Sequence, residues 1–327
     1  MAIEVVEKSP VPQKNEVTRE AILALPKTDL HVHLDGSLRL KTIIELAKEF
    51  KVDLPSYEED GLKKFVCVGN NVSDLVEYLR AFEITTKVMQ DKEALIRTAF
   101  ELAEDNAKEN VKYMEVRFAP ILHQRRGLKF SEIVDSILEG LELAGKQYGI
   151  QSGLILCAMR HLPPQTSVEI AELCLAYKNR GVVGFDLAGA EEDYPPKAHR
   201  EAFFMILNNN LNCTVHAGEG YGPESIHQAI HYCGAHRIGH GTRLKENGDL
   251  FNYVNDHRIP LEICLKSNVQ TKTVTSIEKH PFKFYYEYGL RVTLNTDNRL
   301  VSETTVTDEY LLAASTFGYT MENLHDI

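Results

Sequence analysis

His31 and His33 stand two residues apart in the run Thr28-Asp29-Leu30-His31-Val32-His33-Leu34-Asp35-Gly36. Alternate residues of a β-strand point to the same face, so the two imidazoles project together, with Asp29 on the same side. Held on one rigid strand, they form two corners of a transition-metal site. Three further runs carry groups of the same kind: Thr214-Val215-His216-Ala217-Gly218-Glu219-Gly220, Arg237-Ile238-Gly239-His240-Gly241 and Leu294-Asn295-Thr296-Asp297-Asn298. The ligand set read from these runs is His31, His33, His216 and Asp297. Three neutral imidazoles and a carboxylate, with no thiolate, suit a catalytic Zn²⁺ that keeps one position open for water. Iron, cobalt and manganese are compatible with the same donors. Zinc lowers the pKa of bound water from 15.7 to about 7, which points to hydrolysis. Glu219 is not needed as a ligand and suits a proton shuttle.

These groups need a scaffold that brings separate segments to one mouth. Eight short apolar runs have strand length and β-branched content: 27–34, 113–118, 153–159, 182–187, 212–216, 237–240, 260–265 and 290–295. Between them lie helical spacings, such as Ile133, Ile137, Leu138 and Leu141, and Val168, Ala171, Glu172 and Leu175. Eight such β-then-α units predict a (β/α)8 TIM barrel, whose active sites sit at the C-terminal ends of the strands. A doubly wound sheet lacks support, because no GxGxxG follows the first strand. The single barrel domain would span 1–327, with 1 to about 16 as a loose lead-in. A helical insertion of about 38–110 would follow strand one, either as a lid or as a packing appendage.

The 327 residues carry a formal net charge of −11, which disfavours a binder of nucleic-acid backbones. The first residues lack the apolar stretch of a signal peptide, and no run reaches the ~18 apolar residues of a membrane span. The six cysteines form no CxxC pair and read as reduced thiols. A cytoplasmic protein without membrane or nucleic-acid partners is expected, as a monomer or weak homo-oligomer. Of the 13 histidines, His123, His161, His199, His227, His231, His236, His257 and His280 read as solvated or capping imidazoles.

Taken in order, HVHLDGS, DLAGAE, HAGEG, RIGHG, CLKSNVQT and LNTDN resemble the adenosine deaminase family of amidohydrolase-type barrels, over about Pro26 to Phe317. The resemblance implies that His31, His33, His216 and Asp297 hold zinc, and that Glu219 protonates purine N1. Hydroxide would then add to C6, with His240 stabilising and orienting that oxygen, and ammonia would leave. Asp35 would bond the ribose 5′-hydroxyl and the Gly189 N–H would meet N3; the bland alternative for Gly189 is a turn glycine. Ser267 would be a further substrate contact or a cap of the following helix. Two departures stand out. The family often has two successive aspartates where this chain has Asp297-Asn298; Asn298 can still donate to N7 through its amide. The chain also ends soon after Met321-Glu322-Asn323-Leu324, which has the look of a helix start.

Asp35 favours a nucleoside with a free 5′-hydroxyl, because a carboxylate repels the phosphate of AMP. Adenosine and 2′-deoxyadenosine are therefore the expected substrates, with adenine and aminodeoxyfutalosine as alternatives. A two-metal hydrolase on the same barrel would be expected to carry a carboxylated lysine near the end of strand four. Here that end reads Asp186-Leu187-Ala188-Gly189, so one metal per chain is expected. A non-catalytic relative would be expected to have lost Glu219 or a ligand.

Overall fold

All eight expected strands form, and they pair in sequence order as one parallel sheet. They are β1 (Lys27–His33), β2 (Val111–Phe118), β3 (Gln151–Met159), β4 (Val182–Ala188), β5 (Asn212–Ala217), β6 (Arg237–His240), β7 (Leu261–Ile263) and β8 (Val292–Leu294). The computed structural model describes residues 17–69, 72 and 74–327. The expected lead-in of 1 to about 16 lies outside the described residues. The seventh and eighth strands are shorter than their apolar runs, because Leu265 already begins a helix and Asn295, past β8, turns its side chain onto Leu30 and Ile263. The ring closes just past β8, where His33 N donates to Asp297 O (2.7 Å) and Asp297 N donates to His31 O (2.8 Å). The fold is a (β/α)8 barrel.

Helices fill the intervals: α1 (Arg19–Ala24), α2 (Leu40–Phe50), α3 (Glu59–Val66), α4 (Leu75–Leu79), α5 (Phe82–Val88), α6 (Lys92–Lys108), α7 (Phe130–Tyr148), α8 (Pro164–Ala176) and α9 (Arg200–Asn208). Next come α10 (Pro223–His231), α11 (Gly248–Asp256), α12 (Leu265–Gln270), α13 (Phe282–Tyr288), α14 (Val306–Phe317) and α15 (Met321–Asp326). The periodic stripe of α7 buries Ile133, Val134, Ile137, Leu141 and Ala144, at ~1.5–3 kcal/mol for each large side chain. That helix stops at Gly149, whose φ of 73° suits a residue without a Cβ. Among the described residues, no helix is long and apolar enough to cross a membrane.

The long stretch after β1 divides in two. Its last helix, α6, packs on α7 in the outer ring, while α4 and α5 lie over the mouth of the barrel. Leu75, Leu79 and Phe82 therefore do not share one helix: the chain breaks at Arg80-Ala81. The contact of α6 with α7 depends on Gly140, where a Cβ would lie 2.2 Å from the Ile96 carbonyl oxygen and 2.9 Å from Ala99 Cβ. Alanine favours a helix over glycine by ~1 kcal/mol, but here it must push backbone aside. Gly140→Ala is expected to destabilise by ~1–3 kcal/mol in denaturant unfolding. Unchanged or higher stability would refute the close packing.

Candidate active site

The barrel places its metal-competent side chains at one end of the ring. His31 and His33 come from β1, His216 from β5, His240 from the last residue of β6, and Asp297 from just past β8. His31, His216, His240 and Asp297 are buried, and His33 is half-buried. His240 (φ 64°) and Asp297 (φ 60°) both adopt the left-handed backbone, which L-residues rarely do and which is found where function over-determines conformation. Asp29, expected beside the histidines, lies deeper and accepts from Thr296 Oγ1 at 2.6 Å.

The donors fit one metal ion. Four donors 2.0–2.1 Å from a tetrahedral centre lie ~3.3 Å apart. Here His33 Nε2 is 3.1 Å from His216 Nε2, and His31 Nε2 and His33 Nε2 are each 3.5 Å from Asp297 Oδ1. His31 Nε2 is buried without a hydrogen-bond partner among the described residues, as a ligand atom would be. A ring nitrogen of His240 also lies within 4.8 Å of donors on His31, His216 and Asp297. Its two nitrogens have other neighbours, however: Asn268 Nδ2 at 3.0 Å from Nδ1, and Glu219 Oε2 at 3.4 Å from Nε2. His33 is therefore the better fourth donor. Burial pushes the pKa values of His33, His216 and His240 down, which keeps the imidazoles neutral as ligation requires. His31 goes the other way: burial and Arg117 oppose protonation, but Asp297 and Glu262 outweigh them. Burial opposes ionisation of Asp297, yet the His31 imidazole 3.5 Å away and the neighbouring imidazoles of His240 and His33 hold it well below the usual carboxylate range.

Beneath the donors lies a charged layer that sequence spacing did not disclose. Glu262 Oε2 sits 2.9 Å from His31 Nδ1, and Asp186 Oδ2 sits 3.0 Å from His216 Nδ1. Arg117 joins the two carboxylates, with Nη1 donating to Asp186 Oδ2 (3.0 Å) and Nη2 to Glu262 Oε2 (2.8 Å). Arg237 Nε donates to Glu262 Oε1 (2.6 Å). Burial would raise Glu262 and Asp186; Arg117 and Arg237 hold the first well below its usual range, and His216 and Arg117 do so for the second. Carboxylates behind ligand imidazoles fix tautomer and ring orientation.

Glu219 lies in the opposite environment. Burial, then the charges of Asp297 and Glu191, push its carboxyl well above the usual value, which suits an acid that holds a proton at neutral pH. Its Oε1 accepts from Thr271 Oγ1 at 3.1 Å. The segment that carries it is clamped by Glu191, from the loop after β4, whose carboxylate accepts the N–H groups of Gly218 (2.6 Å), Glu219 (2.9 Å) and Gly220 (2.7 Å).

A cavity of about 650 Å³ opens above these groups and includes His33, Asp35, Gly189, His216, Glu219, His240, Asp297 and Asn298 in its wall. Leu75, Tyr78, Leu79 and Phe82, from α4 and α5, complete it. Asp35 is buried; among the described residues its Oδ1 accepts no hydrogen bond and lies 3.9 Å from His33 Nδ1, and burial raises its pKa to about 7. Gly189 has φ +105° and the nearest atom to a built Cβ at 3.4 Å, so conformation rather than crowding selects glycine there. Asn298 Nδ2 donates to Tyr78 Oη (3.0 Å), which ties the mouth segment to the site. Ser267 differs from expectation: it is buried behind Asp297, donates to Oδ2 at 2.6 Å and is not part of the cavity wall. His123 and His199 differ, being buried and hydrogen-bonded rather than solvated; His280 is buried too but caps the first N–H of α13, and His161, His227, His231, His236 and His257 are exposed. Their neighbours in sequence are polar, but tertiary packing covers them.

Comparison with known proteins agrees with this geometry. The family described as adenosine deaminase matches residues 26–327. The chain is 41% identical over 309 residues to an adenosine deaminase of Clostridium acetobutylicum, covering 94% of this chain and 92% of that one. It is 40% identical over 314 residues to a probable adenosine deaminase of Dictyostelium discoideum, covering 96% of this chain but 41% of that longer protein. The apo structure of an N6-methyl-AMP deaminase from Arabidopsis thaliana is similar with a TM-score of 0.82 and 30% identity, over 94% of this chain and 90% of that one.

Proposed function

The chain belongs to the adenosine deaminase family, and we propose that it hydrolyses adenosine and 2′-deoxyadenosine to inosine and 2′-deoxyinosine with release of ammonia, as a step of purine salvage. The observation that carries this reading is the pairing, in one cavity, of convergent metal donors with the buried carboxyl of Glu219, whose pKa burial and neighbouring carboxylates push upward. His31, His33, His216 and Asp297 would hold one Zn²⁺ per chain. When bound, such an ion supplies a water that is acidic at neutral pH.

The remaining work falls to side chains. Glu219 gives its proton to purine N1, which makes C6 electrophilic. His240 orients the oxygen that adds at C6. Asp297 accepts a hydrogen bond from that oxygen. Of the two protons the water gives up, one passes to the exocyclic amine, which leaves as ammonia, and the other restores Glu219 to its acid form. Asp35 takes the 5′-hydroxyl of the ribose, the Gly189 N–H meets N3, and Asn298 donates to N7. The cavity wall from α4 and α5 supports a role as a lid that limits bulk water. All six cysteines are free thiols, which supports a reducing, cytoplasmic setting.

The test follows absorbance at 265 nm with adenosine, 2′-deoxyadenosine, AMP, adenine and aminodeoxyfutalosine, each supplied separately. Adenosine is expected to turn over best, and AMP at least ~100-fold less well, since a phosphate beside the buried Asp35 would bring like charges together. Chelation should abolish turnover, and one zinc per chain should restore it. Preference for AMP would overturn the assignment of Asp35; two metals per chain would overturn the ligand set.

A further inference from the structure

His240 has two ring nitrogens, and its use depends on which one carries the proton. A chain of buried hydrogen bonds decides this from a distance. The backbone N–H of Phe282 can only donate, and it donates to His280 Nδ1 at 3.0 Å. The His280 proton therefore sits on Nε2, which donates to Asn268 Oδ1 at 3.2 Å. Thr242 Oγ1 donates to the same oxygen at 2.9 Å. With its oxygen taken twice, Asn268 must turn its Nδ2 hydrogens toward His240 Nδ1, 3.0 Å away. That nitrogen is thereby an acceptor, and the His240 proton lies on Nε2, facing Glu219 Oε2 at 3.4 Å. Asn268, His240, Thr242 and His280 are all buried.

We propose that Asn268 and His280 are positioning residues that lock His240 in its Nε2–H tautomer, so that His240 faces the reacting centre as a hydrogen-bond donor and cannot take the proton of Glu219. In the other tautomer, Nε2 would present a lone pair 3.4 Å from the acid. The proton meant for the base would then have a nearer acceptor. The locked tautomer leaves Glu219 with a single productive outlet and places an N–H where the oxygen adding to the ring carries its charge. Burial pushes the His280 pKa down to about 3, so the relay stays in its neutral form across the physiological range. The tautomer follows from the hydrogen bonds alone; its effect on turnover rests on the deaminase reading above.

The experiment therefore has two arms. Long-range ¹H–¹⁵N spectra of the ¹⁵N-histidine-labelled, metal-loaded enzyme read each ring nitrogen, with His240 assigned by the signals lost in His240→Gln. Wild type should show Nε2 protonated and Nδ1 bare. Asn268→Asp keeps the side-chain shape but offers only acceptors toward His240, so the tautomer should invert to Nδ1–H. In the kinetic arm, kcat for adenosine should fall at least ~100-fold in Asn268→Asp, with KM changed less than ~threefold, because the lost group acts in the chemical step. A bare Nε2 in the wild type overturns the proposal without any variant, even if Asn268→Asp fails to fold. An inverted tautomer with kcat within threefold of wild type also overturns it. Absence of adenosine turnover in the wild type would instead count against the deaminase reading, while the spectra still decide the tautomer.

Discussion

Glu219→Gln leaves the protein folded and metal-loaded but lowers kcat for adenosine by ~10²–10⁴. Glutamine has nearly the same shape and can still accept from Thr271 through its amide oxygen. It carries no acidic proton for purine N1. The raised pKa of Glu219 sets the pH dependence. The group is protonated below that value, so wild-type kcat/KM should decline as pH rises through it, and the variant should lack this limb. Metal content by elemental analysis and melting temperature should match wild type. Turnover within tenfold of wild type would remove Glu219 from the proton-transfer role.

Arg117→Met has the largest expected effect on stability. Methionine fills much of the same volume but leaves Asp186 and Glu262 buried with one cationic partner fewer. Breaking a buried ion network from one side costs ~3–5 kcal/mol, which in a chain of this size lowers the melting temperature on the order of 10 °C. The sign with pH is checkable. In the wild type both carboxylates titrate well below their unfolded values, so they stabilise above pH ~4 and lose that contribution as pH falls. In the variant that depression is weaker, since only Arg237 and the imidazoles remain beside them, so the deficit should hold from pH 7 to about pH 5 and shrink as pH falls below ~4. Metal affinity should also fall, by ~10–100-fold, because His31 and His216 lose their fixed backing. A melting temperature within about 2 °C of wild type would show that the network is not a unit.

The donors were legible because each sits at the C-terminal end of an apolar run, where strand periodicity alone orients it. The eight strands were legible for the same reason, and so were the helical spacings of α7 and α8. What lay hidden is of another kind. Arg117, Asp186 and Glu262 stand within strands whose neighbours are apolar, and nothing local says that opposite charges meet across the ring. Glu191 follows a glycine motif, but its grip on three N–H groups of another loop is purely tertiary. His280 sits beside a proline and lysines, so it reads as exposed until α13 is packed over it. Ser267 reads as a substrate contact or a helix cap, but the six-residue α12 starts at once after β7 and turns its hydroxyl onto Asp297 instead. Pattern reports which face a side chain takes; it does not report what waits on the far side of that face.

The closing seam of the barrel has a consequence for how the protein comes into being. Leu30 and Asn295, 265 residues apart, are joined across it, and the metal donors flank the same junction. A chain still emerging from the ribosome thus holds His31 and His33 on its first strand long before Asp297 exists to face them. The proposed donor set is complete only once the segment after β8 has docked against β1. An ion bound by both edges would then act as a rivet, since it stabilises only the closed ring and by an amount that grows with its concentration. Assembly of the catalyst and completion of its fold are the same event.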